Sequence, residues 1–444
     1  MDNKAKSEQL RNEILDKVKE YHALKFGYPS DFVPEQSRVT YAGRMFDHQE
    51  LINLVDSSLE FWLTYGRYSK EFEEKLANYL EIKYCYLVNS GSSANLLAFM
   101  ALTSDSLGSR KVQRGDEVIT VAAGFPTTVA PIIQYGAIPV FVDVDLETAN
   151  IDVSKLEIAL SDKTRAVMLA HTLGNPFNIR AVKDFCNKHN LWLIEDNCDA
   201  LGSKYKGQYT GTFGDIGTSS FYPPHHMTMG EGGAVYTNND LLAKILLSMR
   251  DWGRDCRCPS GSDNICGHRF DKNFGELPHG YDHKYVYSHF GYNLKVTDMQ
   301  AAVGCAQLDK LSGFIDSRKR NWKLLRQGLE NYSEVFMLPQ ATENSDPSWF
   351  GFMLTLRKDV GISRDHIIKR LESNGIQTRM LFAGNIIKQP CFDTMRNDGL
   401  GYRIIDQLTN TDIIMNQSFW VGVYPGMTEE MINYMLERIS TAVK

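Results

Sequence analysis

Tyr84-Cys-Tyr-Leu-Val88-Asn89-Ser90-Gly91-Ser92-Ser93-Ala94-Asn95 passes from a short apolar run, through a turn of small residues, into helical periodicity over Ala94–Leu102. A strand that feeds a helix through such a turn exposes backbone N–H groups at the positive end of the helix dipole, which suits a phosphate. The same residues also suit a plain helix cap, so this segment alone leaves both readings open. Repetition of the pattern decides the fold. Further strand candidates are Glu117–Val121, Pro139–Val142, Ala166–Ala170, Leu191–Ile194 and Thr218–Phe221, with helical patterns such as Val153–Leu160 and Ile179–His189 between them. Strands alternating with helices argue for an α/β architecture, a mainly parallel sheet flanked by helices and joined by right-handed crossovers.

On either side of this region the rhythm changes. Residues 1–44 read as an N-terminal helical segment, with Leu10, Ile14, Val18 and Tyr21 at helical spacing. Residues 45–305 form the expected large domain. Within it, 251–292 breaks the alternation and is rich in Gly, His, Tyr, Cys and Asp, as an insertion with its own task would be. Helical periodicity resumes over Thr297–Leu311 and Phe314–Tyr332, and residues 306–444 read as a smaller C-terminal α+β domain.

Composition excludes several classes of function. The 444 residues are 43% hydrophobic and 23% charged, with a formal charge of −6. That balance gives no electrostatic reason to expect nucleic acid or an anionic membrane as partner. Residues 1–27 lack the apolar core of a signal peptide, and no stretch approaches the roughly 20 apolar residues a bilayer span needs. A cytoplasmic location follows as the expectation. There the 8 cysteines stay free, catalytic or metal-bound rather than disulfide-paired.

Two more segments complete the constellation. Leu191-Trp-Leu-Ile-Glu195-Asp196-Asn-Cys198 is an apolar strand ending in acids, and a carboxylate at the C-terminal end of a parallel strand often serves a ligand in the crevice. Solvated loop charges are the bland alternative. The third segment is Thr218-Ser219-Ser220-Phe221-Tyr222-Pro-Pro-His225-His226. In this order and spacing, and with Gly291-Tyr-Asn293-Leu-Lys-Val-Thr-Asp298 beyond them, the segments resemble the sugar aminotransferase family of fold-type I pyridoxal-phosphate enzymes. The resemblance covers nearly the whole chain from about residue 45. It implies that Ser92 and Ser93 bind the cofactor phosphate, that Ser220 adds a hydroxyl to it, and that Asp196 pairs with the pyridine nitrogen. Phe125 would stack on the ring. Asn293 would reach a phosphate in a neighbouring subunit, so the resemblance also implies a homodimer.

One departure redirects the chemistry. The family places its cofactor-binding lysine five residues after the serine that matches Ser220, and here that position is His225. Lys204, Lys206 and Lys244 do not fall there. Imidazole cannot hold the aldehyde covalently, so a recycling transaminase is the least expected activity. It can move a proton near neutral pH, which makes His225 the expected general base. A relative inactivated at this position is the competing reading. His226 reads as a neighbour without a catalytic role.

Cys198, Cys256, Cys258 and Cys266 are separated by 57, one and seven residues. Four thiolates suit a [2Fe–2S] cluster or zinc, although this is neither of the common ferredoxin spacings, and unliganded thiols remain open on spacing alone. Spacing and histidine together resemble the iron–sulfur 3-dehydrase branch of the family. That resemblance implies pyridoxamine phosphate and a [2Fe–2S] cluster as cofactors. It also implies C3 dehydration of a nucleotide-linked 4-keto-6-deoxyhexose, CDP-linked by resemblance, in 3,6-dideoxysugar biosynthesis. The electrons would come from an NAD(P)H-dependent flavin iron–sulfur reductase, since this chain shows no dinucleotide glycine fingerprint. Alternatives are a cluster-free 3-dehydrase and a non-catalytic zinc-binding relative. Sugar contacts are sought in 268–289, where His268, His279, Tyr281, His283 and Tyr285 gather, with an ordinary polar loop as the alternative.

Overall fold

The computed structural model of the chain describes residues 2–27 and 31–444. Its large sheet contains β1 (Tyr84–Val88), β2 (Glu117–Val121), β3 (Ile138–Val142), β4 (Thr164–Ala170), β5 (Trp192–Asp196), β6 (Ile216–Ser220) and β7 (Gly233–Thr237). They lie in the order β1-β7-β6-β5-β4-β2-β3, with the short strand Arg403–Ile404 on the far edge. From β6 to that edge all pairings are parallel, whereas β7 runs antiparallel to both β6 and β1. β2, β5, β6 and β7 are buried at every residue. Helices covering both faces of the sheet account for this burial and for apolar runs such as Trp192-Leu-Ile194.

The six expected strands are all present, two with the expected limits and four with shifted ends. β5 extends through Glu195 and Asp196, so those acids end a buried strand rather than start a solvated loop. The helix expected over Val153–Leu160 shrinks to Leu156–Ala159 after a 3₁₀ turn. β7 has no counterpart among the expected strands: Gly232 precedes it and Gly233 opens it, and long-range pairing makes Gly233–Thr237 a strand.

Helix α1 (Asn3–Phe26) is capped by Asp2 and docks on α2 (His48–Glu60), where Arg11 pairs with Asp56 and Glu60. α3 (Arg67–Leu80) packs against the later α8 through Tyr68 and Phe72. α4 (Gly91–Ala101) buries Ala94, Leu97, Ala98 and Phe99 against the sheet. α5 (Pro126–Tyr135), α6 (Ile179–Lys188) and α7 (Asp240–Arg250) complete the flanking layers. α8 (Asp298–Leu308) presents Ala301, Ala302 and Cys305 to α3, and these small residues allow the close approach. α9 (Leu311–Gly328) leads to a second, four-stranded sheet. This sheet contains β8 (Phe336–Met337), β9 (Gly351–Leu356), β10 (Thr378–Arg379) and β11 (Ser418–Gly422), ordered β8-β9-β11-β10.

Leu325 and Leu329 from α9 join Phe352, Leu354 and Phe419 in the core of this smaller unit. Val39 also pairs there, bridging to Ile376, so the chain crosses the smaller unit before entering α2. A further core cluster joins Val121 and Val142 of the large sheet to Phe350, Met353 and Trp420, and the main cleft opens beside that seam. Residues 251–292 are irregular apart from a single turn at His283–Tyr285.

Candidate active site

The cleft is a cavity of about 600 Å³ at the C-terminal ends of β5 and β6, roofed by side chains of the smaller unit. Its floor is the turn between β1 and α4. Ser90 is extended and its hydroxyl accepts from the Ser93 N–H at 3.0 Å, which orients the first turn of α4 toward the cavity. Gly91 is required by packing: a Cβ there would overlap the Ser220 side chain and lie 3.1 Å from the Cys198 sulfur. Turn, strand end and thiol are thus held together at one corner of the cavity.

Asp196 is buried at the end of β5. Its Oδ2 accepts from Asn95 Nδ2 and from the Thr128 hydroxyl, both at 2.7 Å, and its Oδ1 accepts from the Cys198 N–H at 3.2 Å. Asn95 is itself fixed by the Thr218 hydroxyl at 2.7 Å. A buried carboxylate with this many donors is rigid, and it presents itself to the cavity in one orientation. The adjacent Glu195 faces the other way, pairing with His171 Nε2 at 3.0 Å and accepting from the Gly211 N–H, which makes it a structural acid.

His225 lies on the loop after β6, and its ring rests on Phe350 with centroids 5.3 Å apart. Its Nε2 stands 3.6 Å from Asp199 Oδ1, while its buried Nδ1 has no hydrogen-bond partner. Burial pushes the Asp199 carboxyl above the ordinary carboxylate range, an effect the imidazole partly offsets. His226 points elsewhere and its Nε2 reaches the Ser348 carbonyl at 2.8 Å. Burial, reinforced by the Arg318 charge, keeps it well below the usual imidazole range.

Of the expected site residues, Ser92, Phe125, Asp196, Cys198, Ser220 and His225 all line this cavity. Ser93 sits one step behind, with its hydroxyl 3.1 Å from that of Ser90. Asn293 lies away from the cavity, bridged to Asp251. Asn95, Thr128 and Asp199 emerge only from the structure. Asp199 directly follows Cys198 in the sequence, but nothing local marks it as the neighbour of His225.

The cysteines divide. Cys256, Cys258 and Cys266 line one narrow cleft in the insertion with Arg269 and His283, whereas Cys198 lines the main cavity. Burial, reinforced by Asp196, pushes the Cys198 thiol well above its usual range. Among the described residues, no three Cys, His, Asp or Glu side chains converge as metal ligands would. Within one chain this arrangement does not fit a four-thiolate cluster. His268 and His283 also lie outside the main cavity, engaged with Asp271 and Asp255. Among the described residues no helix is long and apolar enough to cross a membrane.

This geometry has known counterparts. The chain is 54% identical to the lipopolysaccharide biosynthesis protein RfbH of Salmonella typhimurium, over 97% of both chains. It is 49% identical to dTDP-4-dehydro-2,6-dideoxy-D-glucose 3-dehydratase of Saccharopolyspora spinosa, over 98% of this chain and 92% of the relative. Among solved structures, an Escherichia coli GDP-4-keto-6-deoxy-D-mannose-3-dehydratase with bound hydrated PLP superposes with a TM-score of 0.81 at 30% identity, covering 91% of this chain and 99% of that one. A GDP-4-keto-6-deoxymannose-3-dehydratase variant with bound GDP-perosamine matches with a TM-score of 0.81 at 29% identity, covering 90% and 100%. The architecture is therefore the fold-type I aminotransferase-like α/β fold expected from the motifs. The DegT/DnrJ/EryC1/StrS aminotransferase family model matches residues 46–440, and the chain belongs to that family.

Proposed function

We propose that this chain is a pyridoxamine-phosphate-dependent 3-dehydratase acting on a nucleotide-linked 4-keto-6-deoxyhexose. The observation that carries the reading is His225, placed on the cavity wall beside Asp199, with no lysine among the described residues lining the cavity. Relatives whose names describe 3-dehydratases of such sugars support the substrate class.

The residues fit the cofactor. The N-terminus of α4 and the hydroxyls of Ser92 and Ser220, the latter packed close against Gly91, would form a cradle for a phosphate. Asp196, already held by Asn95 and Thr128, is positioned to keep a pyridine nitrogen protonated. Phe125 stands at the rim, 5.7 Å from Phe382, as an aromatic wall. Bound there, an aminated pyridoxal-type ring supplies a primary amine and an electron sink.

The protein's own part is proton movement. With such a ring held there, His225 would act as the base for the carbon that bears the amine and would pass that proton to the leaving C3 hydroxyl. Asp199 stabilises the imidazolium that forms between the two events. Phe350 and Trp420 cover the site from the smaller unit and exclude water. At the rim Arg379 lies over the Tyr41 ring at 4.0 Å, where its cation suits a diphosphate.

The finer assignment has CDP as the nucleotide, a homodimer in which Asn293 reaches the cavity of a second copy, and an NAD(P)H-dependent flavin iron–sulfur reductase completing the deoxygenation. Family resemblance supports it, and so does the position of Asn293 outside its own cavity. The separation of Cys198 from the other three cysteines favours a second reading, a cluster-free 3-dehydratase, and no step is routed through a cluster.

The test is to load the chain with pyridoxamine phosphate and offer it CDP-4-keto-6-deoxyglucose labelled with ¹⁸O at C3, alongside the GDP and dTDP counterparts. Label released as water, with no amino sugar formed, is the expected result. Accumulation of a 4-amino sugar would rule the assignment out.

A further inference from the structure

Arg318, on α9, is 2% exposed, yet it has no carboxylate at ion-pair distance among the described residues. Among the described residues Asp199 is the acid that favours its charge, acting through space, and burial depresses the guanidinium to about 9. Burying such a charge without a paired acid is expensive for any fold, and a fold keeps one where the cation holds something in place.

Its hydrogen bonds show what is held. One terminal nitrogen donates to the carbonyl of His225 at 3.0 Å and to that of Pro224 at 3.4 Å. The other donates to the carbonyl of Trp349 at 3.4 Å, and Nε has no partner. The guanidinium also lies 5.9 Å from the centroid of Phe350, the ring on which the His225 imidazole rests. His225 stands in the wall between the main cavity and a second cavity of about 280 Å³, and Arg318 lines only the second. The cation thus grips the His225 peptide from the side away from the proposed cofactor, and ties it to Trp349, the residue before Phe350.

We propose that Arg318 is a positioning residue for His225. Its fork fixes the backbone of the base and the aromatic face behind it, leaving the imidazole only its own side-chain torsions between Phe350 and Asp199. A base displaced by a fraction of an ångström from the proton it removes loses much of its rate, so a clamp of this kind acts on the proton transfer and not on cofactor affinity. The proposal rests on His225 being the base, and the experiment separates the two.

The experiment is a double-substitution cycle on the full chain loaded with pyridoxamine phosphate, comparing Arg318→Gln, His225→Gln and the pair. The readouts are deuterium exchange at the cofactor's methylene carbon in the presence of the keto sugar, KM for that sugar, and cofactor affinity from absorbance. Arg318→Gln is expected to slow exchange by about ten- to a hundredfold while KM and cofactor affinity stay within about threefold. Arg318→Lys, which keeps the charge and loses the fork, should recover part of the rate. In the His225→Gln background, Arg318→Gln should change the residual exchange by less than about twofold. An equal loss in both backgrounds, or a parallel loss of cofactor affinity, would show a merely structural role and overturn the proposal. If Arg318→Gln does not fold, Arg318→Lys carries the same cycle. Should His225→Gln itself leave exchange unchanged, the base assignment fails and this proposal fails with it.

Discussion

The imidazole of His225 and the carboxylate of Asp199 face each other across 3.6 Å at the wall of the main cavity, only 16% and 14% of their side chains exposed. A carboxylate at that separation would favour an imidazolium on the proposed base when it takes up a proton.

His225→Asn should therefore lower dehydration by about a hundredfold or more while cofactor affinity stays near that of the parent. His225→Lys should give a borohydride-trappable bond to pyridoxal phosphate and also depress dehydration. Turnover at the parental rate in either variant would remove the histidine from the mechanism.

Asp199→Asn takes away the negative neighbour of the proposed imidazolium and should lower the dehydration rate by about tenfold with cofactor affinity unchanged. Stability carries its own signature. Burial raises the Asp199 carboxyl, so its protonated form contributes stability that is full at low pH and declines as pH rises through the raised value. Thermal midpoints measured from about pH 4 to 8 should fall less steeply in the Asn variant. Superimposable curves would show that Asp199 titrates normally.

Gly91→Ala places a methyl group against Ser220 and Cys198 in a corner with no room for it. Overpacking of this kind costs about 1–3 kcal/mol. The expected outcome is a cofactor dissociation constant raised by about tenfold with the far-ultraviolet circular dichroism unchanged. Unaltered affinity would mean that the turn does not form the phosphate cradle.

Asn293→Asp tests the proposed homodimer. A carboxylate beside the phosphate of a second copy should weaken cofactor binding by about tenfold without altering the sedimentation coefficient. A chain that sediments as a monomer, with affinity indifferent to this change, would leave Asn293 without its proposed role.

Iron separates the two versions of the enzyme. The cluster-bearing version expects about two irons and two labile sulfides per chain after anaerobic purification, lost on Cys256→Ala with cofactor binding intact. Colourless, iron-free protein that dehydrates its sugar at full rate without a reductase would leave the cluster-free version standing.

Much of this was legible in the residues themselves. Tyr84–Val88 and Glu117–Val121 are apolar runs bounded by turn residues, and they form strands with those limits. Resemblance of the motifs to a known family also marked Ser92, Asp196, Ser220 and His225, and all four line the cavity. Other features depend on partners far away in the chain. Gly233–Thr237 becomes a strand because β1 and β6 offer it hydrogen bonds on both sides. Asn95 and Thr128 matter because they meet at Asp196, and Arg318 because α9 delivers it to the carbonyl of His225.

The amino-acid sequence alone determined the alternation of strand and helix, the small-residue turn after Tyr84–Val88 and the histidine at residue 225, since periodicity, turn chemistry and side-chain identity are local properties. Tertiary structure decided which groups share a space: it set Asp199 beside His225, and it placed Cys198 in one cavity and Cys256, Cys258 and Cys266 in another. Spacing along a chain limits how far two thiols can be apart. Only the packing of the segments between them determines whether they meet.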